Sequence, residues 1–585
     1  MLKEKKLSHY INNAKSVTIE SYEKKIRIAI LSSFTMNGLD DTLRVKCSEI
    51  NVGCMIYLAD YKQYNQEFLN PQSGLYKFNP DVVFFILDNR TILGEPYHLP
   101  HSLSDENKRN FIHSKLEEIN NIIKIFTSSS KSKLVISNIQ IPNYSPYGIH
   151  EMHTDYGLFE MTNDFNSNMK TISKKSDSVF IYDLNGFFNR FGERNVFDYR
   201  QFFYGDIKIS LDYIPYLAHD LMGYIKTILG LNKKCIVLDL DNTLWGGIIG
   251  EDGFERIRLG QDPIGKAYVE FQYVLLGLHQ RGIILAINSK NNLEDAMKVI
   301  KEHPNMILRE QNFSSLRINW NDKVTNLKEI AGELNIGLDS IVFLDDDPVN
   351  RELIKTMIPE VLTPDLPNDS STYAETVMDM NDFNLLKITD EDLKRGAMYY
   401  QNQQRQILAD TAKNLDDFLN QLNIKLTIKT ANDYTIPRIS QLTLKTNQFN
   451  LTTKRYQEEE IKKFVLDPNY LVGCAQVEDK FGDNGITGVF IVKKENKSEW
   501  LIDTFLLSCR IIGRGVESAI LSYILKNAKD NGIVKVKGEF ISTKKNKPCE
   551  SFFLDSGFQK EGTQWVYDTN NTIRMPKHIA CSVEK

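Results

Sequence analysis

Cys235-Ile236-Val237-Leu238-Asp239-Leu240-Asp241-Asn242-Thr243-Leu244-Trp245 is the stretch on which the reading of this chain turns. An apolar run of strand length ends in two aspartates, two residues apart. Period-2 alternation puts Asp239 and Asp241 on one face of the strand's extension. Open α/β sheets present ligand sites at the carboxyl ends of their strands. Two carboxylates held close repel each other, and a magnesium ion between them removes that cost. Working outward, Gly282–Asn288 reads as a second strand and runs into Ser289, whose hydroxyl can hold a phosphate oxygen. Lys323 opens a helix after Asn319-Trp320-Asn321-Asp322. A lysine is unfavourable at a helix N-terminus, so an anion is expected beside it. Ser340–Leu344 is a third strand and ends in Asp345-Asp346-Asp347, which offers the remaining metal carboxylates.

Helical stretches at Ala267–Gln280, Leu293–Glu302 and Val324–Leu334 alternate with these strands, as in a parallel sheet. Upstream, Ile28–Leu31, Val52–Leu58, Val82–Leu87, Lys133–Ser137 and Val179–Tyr182 repeat the pattern and predict a separate α/β layer. Leu211–Leu229 reads as the helix that closes it. Downstream, Pro364–Thr372 reads as a linker and Asp390–Leu422 as a polar helical bridge, with a last domain from Ile424. In that domain Asn484-Gly485 predicts a hairpin turn. The expected layout is an α/β N-terminal domain over 1–230, a Rossmann-like α/β domain over 231–375, a helical linker over 376–423 and an α+β domain over 424–585.

The 585 residues suit three or four domains of ordinary size. With 71 Lys+Arg against 76 Asp+Glu and a net charge of −5, nucleic acid is not expected as the main partner. Seven cysteines without close pairs read as reduced thiols. No apolar run approaches the ~20 residues of a membrane span, and the basic N-terminal stretch has no apolar core after it. The expectation is a soluble cytoplasmic protein with no membrane partner.

The order Asp-x-Asp-x-Thr, Ser, Lys, Asp-Asp, each at a strand end, resembles the haloacid dehalogenase (HAD) superfamily of phosphotransferases. The resemblance implies that Asp239 is the nucleophile on phosphorus and Asp241 the general acid–base. Ser289 and Lys323 would orient and neutralise the phosphoryl group. Magnesium would be held by Asp239, the Asp241 carbonyl and the Asp345/Asp346 pair, with Asp346 as the direct ligand. The intervals between the motifs are filled by strands and helices, which leaves no inserted cap domain. A solvated acidic turn is the competing reading of Asp345–Asp347 by itself.

Near the C-terminus, Trp500–Cys509 reads as a strand, and Ser518–Asn527 as a helix. Between them, Arg510-Ile-Ile-Gly513-Arg514-Gly515 presents backbone N–H groups to an anion. The turn resembles the pyrophosphate loop of the GNAT acyltransferases, which implies that Arg510, Gly513, Arg514 and Gly515 bind a pantetheine arm. Phe552 and Phe553 stand where such enzymes often carry a tyrosine acid, which argues against acetyl transfer from coenzyme A. Cys509 and Cys235 are candidate acyl-carrying thiols, each with a plain buried cysteine as the alternative.

Cys235–Gly253 (CIVLDLDNTLWGGIIGEDG), Gln441–Thr453 (QLTLKTNQFNLTT) and Asp503–Glu517 (DTFLLSCRIIGRGVE) together resemble the FkbH-like proteins. This resemblance implies an SGNH-hydrolase-like N-terminal domain, a HAD domain and a GNAT-like domain. It also implies a reaction: the glyceryl unit of 1,3-bisphosphoglycerate is loaded onto the phosphopantetheine thiol of an acyl carrier protein, with loss of phosphate. Two other readings stay open: a HAD-type phosphatase on another phosphoester, and a non-catalytic scaffold that docks a carrier. In the first domain, Ser32-Ser33 and Asp88-Asn89 fall where SGNH hydrolases keep a serine and an asparagine. No Gly-Asp-Ser block is present, and His150, His153 and His219 have no assigned role, so a docking role is the stronger reading there.

Overall fold

The structure is a computed structural model that describes residues 3–388, 390–543 and 546–584, apart from some side chains within 390–410 and those of Lys445 and Cys509. The chain divides into two units. Met1–Lys233 and Glu375–Lys387 form the first, and Lys234–Ala374 and Ile388–Lys585 the second.

The first unit is built on five parallel strands, β1 (Lys24–Ser32), β2 (Val52–Leu58), β3 (Val82–Ile86), β4 (Lys133–Ser137) and β5 (Val179–Tyr182), in the order β2-β1-β3-β4-β5. A strand covered on both faces cannot alternate apolar with polar residues, and all five residues of β3 are buried. Helices α1 (Leu39–Glu49), α2 (Asp105–Ser129), α3 (Leu158–Ser173) and α4 (Ile214–Ile228) supply the cover. Ile28, Ile30, Val82, Phe84 and Ile86 face α1 and α4 in one core. Their neighbours Ala29, Leu31, Val83 and Phe85 face α2 and α3 in the other.

The segment Glu375–Lys387 returns to this unit, which corrects the expected linker boundary. Lys226 on α4 donates to Asn381 Oδ1 and Asp382 Oδ1, both at 2.7 Å, and Phe383 is buried. Its scattered apolar residues show no strand or helix period, and its attachment, through buried Val377 and Phe383 as well as the Lys226 contacts, is made with residues distant in the chain.

The second unit holds two sheets. The first is parallel, with β6 (Cys235–Leu238), β7 (Ile284–Ser289), β8 (Phe313–Ile318) and β9 (Ile341–Leu344) in the order β8-β7-β6-β9. Helices α5 (Pro263–Gln280), α6 (Leu293–Glu302), α7 (Lys323–Glu333) and α8 (Pro348–Met357) follow the strands. Strand β8 was not among the expected strands. It is an edge strand, and Phe-Ser-Ser-Leu-Arg-Ile lacks the apolar run of its buried neighbours.

The polar helix α9 (Asp390–Thr411) packs along β7 and β8 and on a strand of the second sheet. That sheet contains β10 (Ile424–Thr430), β11 (Phe449–Asn450), β12 (Tyr470–Asp479), β13 (Gly482–Lys494), β14 (Glu499–Leu507), β15 (Lys535–Gly538), β16 (Gln559–Glu561), β17 (Gln564–Asp568) and β18 (Ile579–Glu584). Its order is β16-β17-β15-β14-β13-β12-β10-β18, with β11 on β14. A parallel crossover through helix α10 (Val516–Asp530) joins β14 to β15. This is the α+β arrangement expected from the sequence. The turn of the β12–β13 hairpin falls at Lys480-Phe481, ahead of the predicted Asn484-Gly485, which lies inside β13. Asn484 is buried there and its amide donates to Asp479 at 3.4 Å.

Candidate active site

The two aspartate motifs and Ser289 reach one edge because β6, β7 and β9 are parallel neighbours and end at the same side of the sheet. Asp239 directly follows β6 and stays in the sheet through its N–H, which donates to the Leu344 carbonyl at 3.0 Å. Oxygens of Asp239, Asp345 and Asp346 lie within 4.8 Å of one another. Lys323, the first residue of α7, places Nζ 2.9 Å from Asp239 Oδ1 and 2.5 Å from Asp345 Oδ2. The anion expected beside this lysine is therefore the protein's own pair of carboxylates.

One ammonium does not balance three carboxylates, of which Asp239 and Asp345 are buried and Asp346 is half-buried. Burial, and then the Asp239 charge, push the Asp345 carboxyl up. Burial, Asp239 and Asp345 push Asp346 up to about 6. Burial opposes the charge on Lys323, but Asp239 and Asp345 outweigh it and hold the ammonium above its ordinary value. A hard divalent cation with oxygen ligands fits this residual negative charge. Asp345 is committed on both oxygens, since Oδ2 meets Lys323 and Oδ1 accepts the Asp347 N–H at 2.9 Å. Asp346 is fixed by Thr243, which donates to Oδ1 at 3.3 Å and accepts the Asp346 N–H at 3.2 Å.

The Asp241 side chain turns away from that trio. Its Oδ1 accepts from Trp245 Nε1 at 2.9 Å and the Ile249 N–H at 3.1 Å, and its Oδ2 accepts from Asn291 Nδ2 at 2.8 Å. Burial nonetheless raises its pKa, against the pull of these hydrogen bonds. Ser289 closes β7 and is buried.

Four supporting residues went unremarked in the sequence. Asn291 orients Asp241. Arg351 donates to the Asp345 and Asp346 carbonyls at 2.8 and 2.6 Å. Asn288 donates to the Lys323 carbonyl at 2.9 Å, and Asn326 donates to Asn288 Oδ1 at 3.0 Å, which together fix the start of α7. Asn291 and Asn288 flank Ser289 and could have been suspected from that; Arg351 is an ordinary helical residue until the fold is known. Ile248, Leu293, Trp320 and Val349, each in the segment that leaves one of the four strand ends, are exposed.

The other predicted residues separate. Cys235 is fully buried at the opposite end of β6 from Asp239, and burial pushes its thiol up, so it is not an accessible acyl carrier. The side chain of Cys509 lies outside the described residues. Gly513 and Gly515 adopt φ of +80° and +81°, which favours glycine, and they lead into α10. Arg514 was expected to face a ligand, but it turns inward. Its guanidinium lies 3.4 Å from Asp479 Oδ2, and burial, then Arg405, lower its pKa to about 10. Arg405 on α9 already grips Asp479 through two hydrogen bonds of 2.7 and 2.8 Å. Arg510 donates to Ser508 Oγ at 3.2 Å.

In the first unit, Ser33 is buried, donates to Asp88 Oδ2 at 2.6 Å and accepts the Asp88 N–H at 3.0 Å, while Lys208 donates to Asp88 Oδ1 at 2.8 Å. His219 is engaged with Glu4 and the Asp379 carbonyl, and the His150 and His153 rings stack on each other. Among the described residues none of these histidines bonds to Ser33, so the serine is part of a buried polar network.

The FkbH N-terminal domain model matches residues 27–226. The crystal structure of the N-terminal part of BF1531 from Bacteroides fragilis, which contains a phosphatase domain complexed with Mg, is 28% identical with a TM-score of 0.60. It covers 66% of this chain and 100% of its own. The spermidine N-acetyltransferase SpeG of Vibrio cholerae is 14% identical with a TM-score of 0.21, over 25% of this chain and 94% of its own. An acetyltransferase of the GNAT family from Desulfovibrio desulfuricans is 10% identical with a TM-score of 0.21, over 25% and 99%. No curated protein matches the chain. Among the described residues no helix is long and apolar enough to cross a membrane. The chain therefore carries an FkbH N-terminal domain match over residues 27–226 and is similar, over 66% of its length, to a solved structure that contains a phosphatase domain.

Proposed function

We propose that this protein loads the glyceryl unit of 1,3-bisphosphoglycerate onto the phosphopantetheine thiol of an acyl carrier protein and removes the remaining phosphate at Asp239. One observation carries the reading: Asp239, Asp345, Asp346 and Lys323 converge where the parallel strands end. Magnesium held by Asp239, Asp346 and the Asp241 carbonyl would neutralise charge on the phosphoryl oxygens.

The carbon-1 acyl phosphate needs only a thiolate. A C–S bond forms, the C–O bond to phosphate breaks, and inorganic phosphate leaves. The carbon-3 monoester is the difficult bond. A carboxylate oxygen of Asp239 attacks phosphorus, the bond to the glyceryl oxygen breaks, and Asp241 gives that oxygen its proton. Water then attacks the aspartyl phosphate, returns a proton to Asp241 and releases phosphate. Lys323, 2.9 Å from Asp239, is placed to meet the charge on the phosphoryl group, and Ser289 is suited to orient one of its oxygens. An open site whose edge carries exposed apolar residues suits a substrate borne on a protein.

Intact-mass measurement of a carrier protein incubated with the enzyme, 1,3-bisphosphoglycerate and magnesium tests the reading. A glyceryl adduct without phosphate is expected. Fast phosphate release that ignores the carrier would favour a phosphatase acting on another small phosphoester. The absence of an adduct on any carrier encoded nearby would reject loading.

A further inference from the structure

The glycine loop and the strand before it have the parts of a coenzyme cleft, and this chain occupies both parts itself. Strands β14 and β15 pair only from Glu499↔Lys535 to Ile502↔Gly538. Beyond that point β15 has ended while β14 runs on to Leu507, which opens one backbone edge of β14. An extended amide chain such as pantetheine could add to that edge as a short strand. Strand β11 is already there, with Phe449 opposite Leu507 and Asn450 opposite Leu506. The Leu451 N–H donates to the Phe505 carbonyl at 3.1 Å, and on the far side the Ile541 N–H donates to the Leu451 carbonyl at 2.8 Å. Asn546, fully buried, donates to the Asn450 carbonyl at 3.0 Å. The Phe449 ring packs edge-on against Phe552 at 5.2 Å, and residues 449–451 are all buried. This segment is a built-in part of the core.

The phosphate end is filled as well. Glu517 is the second residue of α10; burial pushes its carboxyl up, against the pull of the backbone N–H groups of Glu517, Gly515 and Gly513. Those are the donors that a loop of this kind offers to a phosphate. The second carboxylate oxygen, Oε2, is buried with no hydrogen-bond partner, so an anion entering this loop would meet a buried acid that nothing else offsets. Arg514, the loop's own cation, faces Asp479 and Arg405 instead.

We propose that the C-terminal domain excludes coenzyme A and the pantetheine arm: Glu517 fills the phosphate loop, Phe449–Leu451 fill the strand edge, and the domain acts as a fixed support joined to the phosphatase sheet through α9. The proposal deepens the function given above, on which it rests for the identity of the arm: a carrier's pantetheine reaches Asp239 without being gripped at this loop.

The test is titration calorimetry of the full-length protein with coenzyme A and, separately, inorganic pyrophosphate. Wild type is expected to bind neither at millimolar ligand, and added coenzyme A leaves hydrogen exchange at Leu451 and Ile541 unchanged. Glu517→Ala, which empties the loop, is expected to bind pyrophosphate at least about tenfold more tightly than wild type. Glu517→Gln removes the charge with little change in size and serves if the alanine variant does not fold. Saturable binding of coenzyme A by wild type, or faster exchange at Leu451 and Ile541 when it is added, overturns the proposal. So does a failure of both variants to gain pyrophosphate affinity. Magnesium-dependent phosphate release from the same samples is unchanged by the Glu517 substitutions, and its loss on Asp239→Asn tests the phosphatase reading separately.

Discussion

The second unit gathers charge at two strand ends and treats it in opposite ways. At the edge of β6, β7 and β9, three carboxylates share one ammonium, and Asp345 and Asp346 are both pushed up by burial and by the Asp239 charge. Around the glycine loop, Asp479 is met by Arg405, Arg514 and Asn484, so its charge is closed by the protein. The first arrangement is costly unless a ligand completes it, and such uncompensated charge marks a functional site. The second is complete without a ligand. Both loops carry a sequence motif, four ordered motifs at the first and a single glycine turn at the second, and the balance of partners separates an incomplete charge cluster from a closed joint.

Substitution at each site should break this contrast if it is wrong. The largest effect is expected for Asp239→Asn, which keeps the shape of the first cluster and removes its nucleophile. Phosphate release should fall by about 10⁴-fold, with the urea midpoint of unfolding unchanged or raised, because one of three repelling charges has gone. A fall of less than tenfold would mean that the cluster is not where phosphorus is attacked.

A smaller effect, on stability alone, is expected for Arg405→Ala. Asp479 and Arg405 are both almost fully buried, and removing one partner of such a pair costs about 3 kcal/mol. Urea denaturation should show that loss, while magnesium-dependent phosphate release at low denaturant keeps most of its rate. A variant as stable as wild type would show that the joint is not closed by this pair.

The smallest effect concerns a closed acid in the first unit. Burial would raise the Glu4 carboxyl, but His219, Lys46 and Tyr10 together hold it down to about 2, from an ordinary value of 4.5. A depressed folded-state pKa contributes stability that is fully present above 4.5 and is lost as the pH falls toward 2. Acid titration of the first unit's unfolding should lose about 2 kcal/mol across that window, after allowance for partial exposure. Glu4→Gln should remove this part of the slope and lower stability at neutral pH. An identical slope in the variant would place the acid sensitivity elsewhere.

How much could be read beforehand follows from the physics of each element. The strands that carry Asp239, Ser289 and Asp345 are buried on both faces, so they appear as apolar runs and their ends are visible. Strand β8 lies at the edge with a mixed sequence and was invisible by the same rule. The Asn-Gly pair at 484–485 suggested a turn, but Asn484 is used to bond Asp479, and the chain turns just before it. Arg351, Asn288 and Asn291 carry no pattern, because their value depends on which carbonyls and carboxylates the fold brings within reach.

The amino-acid sequence alone determined the parallel-strand alternation, the acids and lysine at strand ends, and the absence of room for a cap between them. These are local: they depend on hydrophobic period and on residue type at a strand terminus. Only the tertiary structure decided that Arg514 turns inward, that Glu517 occupies its own glycine loop, that residues 449–451 fill the edge of β14, and that Glu375–Lys387 belongs to the first unit. Each depends on a partner distant in the chain, and hydrogen bonds and ion pairs are directional contacts whose partners no local period encodes.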